Sequence, residues 1–372
     1  MKEKNRLTFQ KSIDEIEETL WDVAVIGAGP AGSTLSVNLA GEGHRVLLID
    51  SKKFPREKVC GDLISPPAFQ TLARLGLYDR ILSLGKELKI AYICEVSDLK
   101  SLQKSSKMSI INIHNFLPSY GYPVILKRSI FDTIIAEKAV EKGAVFIKGR
   151  VIKIDINKEN INILTFKESS SPVLSKIAVI ATGSDLALAK TLGMTTGKET
   201  PGYALRCYIK SDLIIEDMIF IFDPRTNPTG YAWIFPEGDK IYNAGYGNGF
   251  TPKGAKNKIN LKKNFMDFLS FFPLSVKLLK SGKIISKIQG GRVYTGAAGA
   301  KPVGPGNILA IGDTIGTTTP GSAEGIRLAM LSGERAAIVI NNALKTKDFS
   351  YIKKYYILLK DFPLIWKRER IF

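Results

Sequence analysis

Gly27-Ala28-Gly29-Pro30-Ala31-Gly32 has the residue types and spacing to hold a dinucleotide. It follows the apolar, β-branched run Trp21 to Ile26 and precedes Ser33 to Ala40, a helix-compatible apolar segment. Gly41-Glu42-Gly43 breaks that segment, and Arg45 to Ile49 is a second apolar run ending in Asp50. The order is strand, glycine turn, helix, strand, acid. Gly27 permits the tight turn, Gly29 admits a pyrophosphate to the backbone, and Gly32 lets the helix pack closely on the strand. A helix N-terminus offers free N–H groups and partial positive charge to phosphates. Asp50 lies near the spacing of about 20 residues expected for an acid that binds ribose.

Two further clusters carry possible chemistry. Ile308 to Asp313 reads as a buried strand with Gly-Asp at its carboxyl end, where ligands collect in open α/β sheets. Glu324-Gly325-Ile326 then opens a long apolar helix running to Asn341. Its N-terminus could face the pyrimidine edge of a flavin and stabilise the reduced form, with Asp313 accepting from ribityl hydroxyls. The plain alternative is a strand-turn-helix with a capping acid. In the third cluster, Tyr231, Trp233 and Phe235 alternate with Ala232 and Ile234, so a strand puts the aromatics on one face. Such a wall suits a long hydrocarbon ligand, or it is a packed sheet core.

The elements that must position these clusters follow from the pattern. Ala68 to Leu75, closed by Gly76, and Arg128 to Lys142-Gly143 read as helices. Val145 to Ile156 and Asn160 to Phe166 read as strands, singly or as a hairpin, and Lys176 to Gly183 as a buried strand with a turn. Beyond Pro201-Gly202 the chain becomes alternating and aromatic, as in an antiparallel sheet, with strands at Met218 to Phe222, Tyr231 to Pro236 and Ile241 to Gly247. Leu261 to Ser281 is lysine-rich and helical, interrupted at Pro273. The expected organisation is a 1–20 N-terminal extension with a short helix at Ser12 to Leu20. A discontinuous cofactor domain takes 21–90, 125–190 and 295–345, a substrate domain takes 91–124 and 191–294, and a helical tail takes 346–372.

Composition excludes several function classes. The chain has 372 residues, 45% of them hydrophobic, so a globular protein with a substantial core is expected. Only two histidines (His44, His114) and three scattered cysteines (Cys60, Cys94, Cys207) argue against a histidine triad, a metal site or a disulfide framework. No apolar run reaches the length of about 18 residues that spans a bilayer, and the N-terminus lacks a signal-peptide core. A cytoplasmic protein is expected. Lys and Arg number 53 against 35 acids, a net charge of +18. The charge is scattered and no nucleic-acid motif accompanies it, so no nucleic-acid partner is expected. Either compositional bias or a preference for membrane surfaces explains it. The tail Tyr351 to Phe372, with Tyr355, Tyr356 and Trp366 among basic residues, could hold the inner membrane face or be an ordinary closing helix.

Together, Gly27-x-Gly29-x-x-Gly32 with Asp50, Gly312-Asp313 and Glu324-Gly325-Ile326 resemble the flavoprotein superfamily of p-hydroxybenzoate hydroxylase type. Three features resemble its geranylgeranyl reductase family: Pro55-x-x-Lys58-x-Cys60-Gly61, Arg128-x-x-Phe131-Asp132, and Tyr231-x-Trp233-x-Phe235-Pro236 followed after eight residues by Gly245-Tyr246-Gly247. The resemblance implies an α/β fold: a Rossmann-like FAD-binding domain with an inserted antiparallel-sheet substrate domain. It implies FAD held by Gly27, Gly29, Ala31, Gly32, Asp50, Lys58, Cys60, Gly61, Leu63, Arg128, Val151, Asp313, Gly325 and Ile326. It implies a prenyl substrate against Tyr231, Trp233, Phe235, Gly245 and Gly247.

The implied reaction is saturation of C=C bonds in a geranylgeranyl-type chain on a lipid, diphosphate or quinone, with hydride from reduced flavin N5. Cys60 would lie beside the flavin ring as a proton donor or as a small packing residue, and Cys94 and Cys207 would be buried spacers. Gly245-x-Gly247-x-Gly249 opens no helix pattern and is no second nucleotide site. NADPH, NADH or reduced ferredoxin would therefore be a transient electron donor. The alternative is an FAD monooxygenase acting on an aromatic or polyketide substrate. Against it, Ala181-Thr182-Gly183-Ser184 replaces the Asp-Gly of related hydroxylases, and the halogenase pattern WxWxIP is absent. Ala323 stands where family members tend to have glycine.

Overall fold

A computed structural model of the chain describes residues 7–16, 19–96, 106–112, 121–197, 199, 201–223, 229–248, 260–360 and 362. Strand β1 (Leu20–Ile26), helix α1 (Pro30–Gly41) and strand β2 (Val46–Asp50) form the expected βαβ unit. Every residue of β2 is buried, as a parallel strand covered on both faces requires. Four parallel pairings build the sheet: β1 with β2, β1 with Val173–Ile180, β2 with Val145–Lys148, and Val173–Ile180 with Ile308–Ala310.

Register decides what meets at the edge. Ile26 pairs with both Ile49 and Ile180, and Ile180 pairs with Ala310. The next residues, Gly27, Asp50 and Ala181, therefore emerge at the same carboxyl edge as Ile311, with Gly312 one residue further on. Helix α1 is buried nearly all round; it carries no charged residue, and its Ser33, Ser36 and Asn38 side chains donate to backbone carbonyls. It lies beneath the helix Ile326–Thr346, so close that a Cβ on Gly333 would stand 2.4 Å from the Ala31 oxygen.

Two sequence expectations need correction here. Val145 to Ile156 is not one strand. The chain breaks at Gly149-Arg150, and Val151–Ile156 moves to the opposite edge of the same sheet, antiparallel to Asn162–Phe166, which itself pairs antiparallel with Val173–Ile180. A Cβ on Gly149 would stand 2.7 Å from the Phe166 ring, so the break is also a close approach. Nor does Ser12 to Leu20 form the expected helix; the described part holds a single 3-10 turn at Asp14–Ile16. Leu7, Ile13 and Ile16 join the main hydrophobic core, and Gln10 and Phe146 exchange hydrogen bonds of 2.9 Å.

The second sheet runs in the order Gly282–Ile284, Gly202–Ser211, Ile241–Asn248, Gly230–Gly238, Met218–Phe222, Ile90–Val96, Ser106–Asn112, with Gln289–Val293 also on Gly202–Ser211. Alternation separates its faces. Cys207, Ala232, Ile234, Ala244 and Tyr246 pack with the helices Leu261–Phe271 and Pro273–Lys280, while Trp233 and Phe235 belong to a separate cluster on the other face. In the tail, Tyr355 is fully buried and its hydroxyl donates to the Ser332 carbonyl at 3.2 Å, so it faces the core and not a membrane. Trp366 and His114 lie outside the described residues.

One buried ionic cluster ties the helix Arg128–Glu141 to the loop after β2. Asp132, wholly buried, accepts from Arg128 Nε at 2.7 Å and Nη2 at 2.9 Å, and pairs with Arg56 Nη1 at 3.1 Å. Removing one partner of a buried ion pair leaves uncompensated charge in a poor solvent for it. Asp132→Ala is expected to cost about 3–5 kcal/mol. The check is a denaturant midpoint that falls while the slope of the transition is kept.

Candidate functional site

The carboxyl edge of the parallel sheet opens into one cavity of about 1560 Å³ that continues to the aromatic face of the second sheet. Its lining includes every residue singled out in the sequence as a cofactor or substrate contact except Gly32 and Gly245.

At the nucleotide end, Gly27 has φ +116°, and a Cβ there would lie 2.2 Å from the Ala181 carbonyl oxygen. Gly32 is close-packed instead: a Cβ would sit 2.0 Å from the Gly27 oxygen. Gly29 caps α1 without any side-chain hydrogen bond, and a Cβ there would meet only Arg56 Nη2, at 3.5 Å. Uncapped helix N–H groups beside a glycine that leaves room form a cradle of phosphate size. Asp50 accepts from the Ala28 N–H at 3.1 Å, the Lys52 N–H at 2.9 Å and Arg56 Nε at 3.3 Å. Arg56 thus stands between Gly29 and Asp50, steered by Asp50 and Asp132. Sequence reasoning passed over it, although it lies inside the Pro55-to-Gly61 segment.

At the other end of the edge, Gly312 has φ +65° and a Cβ would meet that of Ala31 at 2.8 Å. Asp313 accepts from the Thr318 hydroxyl at 2.9 Å. Burial pushes the Lys58 ammonium below its usual range, against the opposing pull of Asp313. The helix Ile326–Thr346 begins at Gly325 with no side-chain cap, its first turn facing the cavity. Glu324 accepts from Ser65 and binds Arg327 at 2.8 Å and 3.0 Å. Ala323 takes φ +55°, the left-handed conformation glycine adopts freely, at a strain of about 1 kcal/mol.

Cys60 is half-buried against the cavity. Burial pushes its thiol up, while the Arg128 guanidinium, which hydrogen-bonds to it, pulls the other way. The thiol therefore keeps its proton at neutral pH. The loop stands against the aromatic wall: a Cβ on Gly61 would lie 3.0 Å from the Phe235 ring and 3.5 Å from Trp233 Nε1.

The wall itself is continuous. Ring centroids lie 5.0 Å apart for Phe220 and Phe235, 5.5 Å for Phe220 and Tyr231, and 6.0 Å for Tyr231 and Trp233. The Tyr231 hydroxyl donates to the Ser322 carbonyl at 2.8 Å, joining the wall to the loop before Gly325. Gly245 lies under the indole, where a Cβ would come within 2.0 Å of Trp233; Gly247 leaves 3.6 Å. Trp233 Nε1–H donates to Asn243 Oδ1 at 3.0 Å, which sets the ring plane.

Comparison with known proteins agrees with this geometry. Residues 21–193 match the FAD binding domain family. Digeranylgeranylglycerophospholipid reductase 1 of Methanosphaera stadtmanae is 31% identical over 351 residues, which cover 90% of this chain and 80% of that protein. A solved geranylgeranyl bacteriochlorophyll reductase-like protein from Thermoplasma acidophilum superposes with a TM-score of 0.74 at 23% identity, covering 92% of this chain and 83% of that one. A flavin-dependent brominase superposes with a TM-score of 0.72 at 22% identity, covering 91% and 83%. These two structures share the fold. The uncapped helix ends, the space at Gly29 and the acids Asp50 and Asp313 fit an FAD laid along the carboxyl edge.

Two glycine contrasts test this placement. Gly27→Ala is expected to lower the melting temperature of the FAD-free protein, whereas Gly29→Ala leaves it unchanged and weakens FAD binding in a fluorescence titration. Gly245→Ala is expected to shift tryptophan emission and lower the melting temperature, because the indole must move; Gly247→Ala leaves both near native.

Proposed function

The chain belongs to the geranylgeranyl reductase family of FAD-dependent oxidoreductases, and from that premise we propose that it saturates C=C bonds of a polyprenyl chain. That chain is of geranylgeranyl type, carried on a lipid, a diphosphate or a quinone. The observation that carries the reading is the aromatic wall, which shares one cavity with the thiol of Cys60.

Reduced FAD, when bound, supplies a hydride from N5. The residues of the chain do the rest. Phe220, Tyr231, Trp233 and Phe235 line an apolar path that extends the hydrocarbon and excludes water. Cys60 Sγ holds the proton that goes to the second carbon, so the bond gains two hydrogens in all. Arg128 then faces the thiolate and stabilises it until solvent returns the proton. The N-terminus of Ile326–Thr346 offers free N–H groups to negative charge accumulating at that end of the cavity.

In this reading the electron donor, NADPH, NADH or reduced ferredoxin, docks transiently. Among the described residues no helix is long and apolar enough to cross a membrane. The proposed place of work is the cytoplasmic face of the membrane, with the basic surface turned to anionic lipid.

Anaerobic single turnover tests the reading. Photoreduced protein mixed with a geranylgeranyl-bearing lipid is expected to reoxidise without oxygen, and the product to gain two hydrogens per bond by mass spectrometry. Turnover that requires oxygen and adds it to the product would overturn it. Cys60→Ala is expected to slow the anaerobic reoxidation by about 10²–10⁴ while FAD affinity is kept. A loss of only a few fold would return Cys60 to a packing role.

A further inference from the structure

On the side of the Cys60 loop away from the cavity, two carboxyl groups meet. Asp62 is wholly buried, Glu237 is half-buried, and neither lines the cavity. Asp62 has φ +62°, left-handed for a residue with a side chain, so the surroundings must hold the turn in place. Three donors converge on its carboxyl: the Arg128 N–H at 3.1 Å on Oδ1, and on Oδ2 the Tyr208 hydroxyl at 2.6 Å and Asn243 Nδ2 at 2.7 Å. That donor set marks Asp62 as the ionised member. Glu237 meets the side chains of Asp62 and Asn243, and its Oε1 is buried without a hydrogen-bond partner. Two carboxylates in contact cannot both be charged in such a site, so one carries a proton.

The charged groups around the pair have other partners and reach it only through space. The Arg128 guanidinium is held by Asp132. Arg206 stacks over the Tyr208 ring at 4.1 Å and pairs with Glu57, and its charge favours ionised Asp62. Lys127 Nζ also sits over that ring, at 4.8 Å, and its charge acts on Glu237. Tyr208 keeps its own proton, because burial and then the Asp62 charge push its hydroxyl up. Cys60 is the remaining titratable neighbour.

We propose that Glu237 is a positioning residue in its neutral acid form, donating to the Asp62 carboxylate and pinning the Cys60-Gly61-Asp62 turn to the strand that carries the aromatic wall. The strand alternation that aims Tyr231, Trp233 and Phe235 at the cavity ends in Glu237. Asn243 completes the tie from the neighbouring strand. Its Nδ2 donates to the Cys60 carbonyl at 2.9 Å as well as to Asp62, and its Oδ1 accepts from Trp233. The thiol and the wall are thereby set relative to each other by one proton and one amide.

Burial, and after it the Asp62 charge, push Glu237 up to about 9. The sign follows. A folded-state value above the ordinary carboxyl range means the folded protein keeps the proton up to about 9, while the stability this adds is fully present only below the ordinary carboxyl range and declines from there as pH rises to about 9. Above that point two adjacent carboxylates repel and the turn loosens.

The experiment uses the FAD-loaded protein and needs no substrate, so its outcome is independent of the proposed reaction. Infrared spectroscopy at neutral pH is expected to show the carbonyl stretch of a protonated carboxylic acid that disappears through about pH 9 and is missing from Glu237→Gln. Because the amide can donate to Asp62 in place of the acid, Glu237→Gln is expected to keep FAD and a neutral-pH melting temperature no lower than the native one, since it takes up no proton on folding. It should also lose the fall in melting temperature that this acid gives the native protein between the ordinary carboxyl range and about pH 9. A native spectrum without the acid band, or a variant that keeps that fall, overturns the proposal. Should the variant fail to fold, the native band and its titration decide alone.

Discussion

The carbonyl oxygen of Ala181 comes so near Gly27 that no side chain could begin there, and Gly32 is pressed just as closely on the Gly27 oxygen. These contacts fix how α1 leaves β1 and how Val173–Ile180 ends beside it. Given that seating, the parallel register delivers Asp50 and Gly312 to the same edge, and the first turn of α1 points along it. The glycines do not soften the turn; they allow three backbones to touch. The room left at Gly29 is the counterpart of the crowding at its neighbours.

From that edge a line of charge runs inward. Asp50, Arg56, Asp132 and Arg128 follow one another as alternating acid and base, and Arg128 ends at the thiol of Cys60. Asp132 joins the two segments through side-chain charge, and Asp62 joins them again by accepting from the Arg128 N–H. On the far side, the second sheet meets this line with an apolar surface. The cavity therefore changes character along its length, polar and cationic near Gly29 and aromatic near Tyr231, with Cys60 at the change.

Much of this was legible because it is written in backbone requirements. The glycine turn, the strand-ending acids and the alternation of Tyr231, Trp233 and Phe235 are local patterns with one economical solution each. The break at Gly149 was not legible, since Val145 to Ile156 is apolar enough for one strand and only the distant Phe166 ring shows why it divides. Gly245 stood in a readable motif whose reason was hidden: spacing says that the residue is small, but not that an indole from the adjacent strand lies on it. Arg56, Asp62 and Glu237 were passed over for a related reason. Each is an ordinary charged residue whose meaning comes from partners far along the chain, Asp132, Tyr208 and Asn243 among them. Ala323 is a case where the comparison with glycine was informative, because the backbone there does adopt the left-handed conformation.

The sheet at the nucleotide edge draws its strands from residues 20–50, 145–180 and 308–310, and its covering helix ends at Thr346. Loop-closure entropy must be met before such distant pairings repay it, so assembly is expected to be slow by the standard of local folds. The glycine turn is synthesised about three hundred residues before its crossing helix, which is anchored where Gly333 meets Ala31. The grip on a nucleotide is therefore completed only when that helix docks.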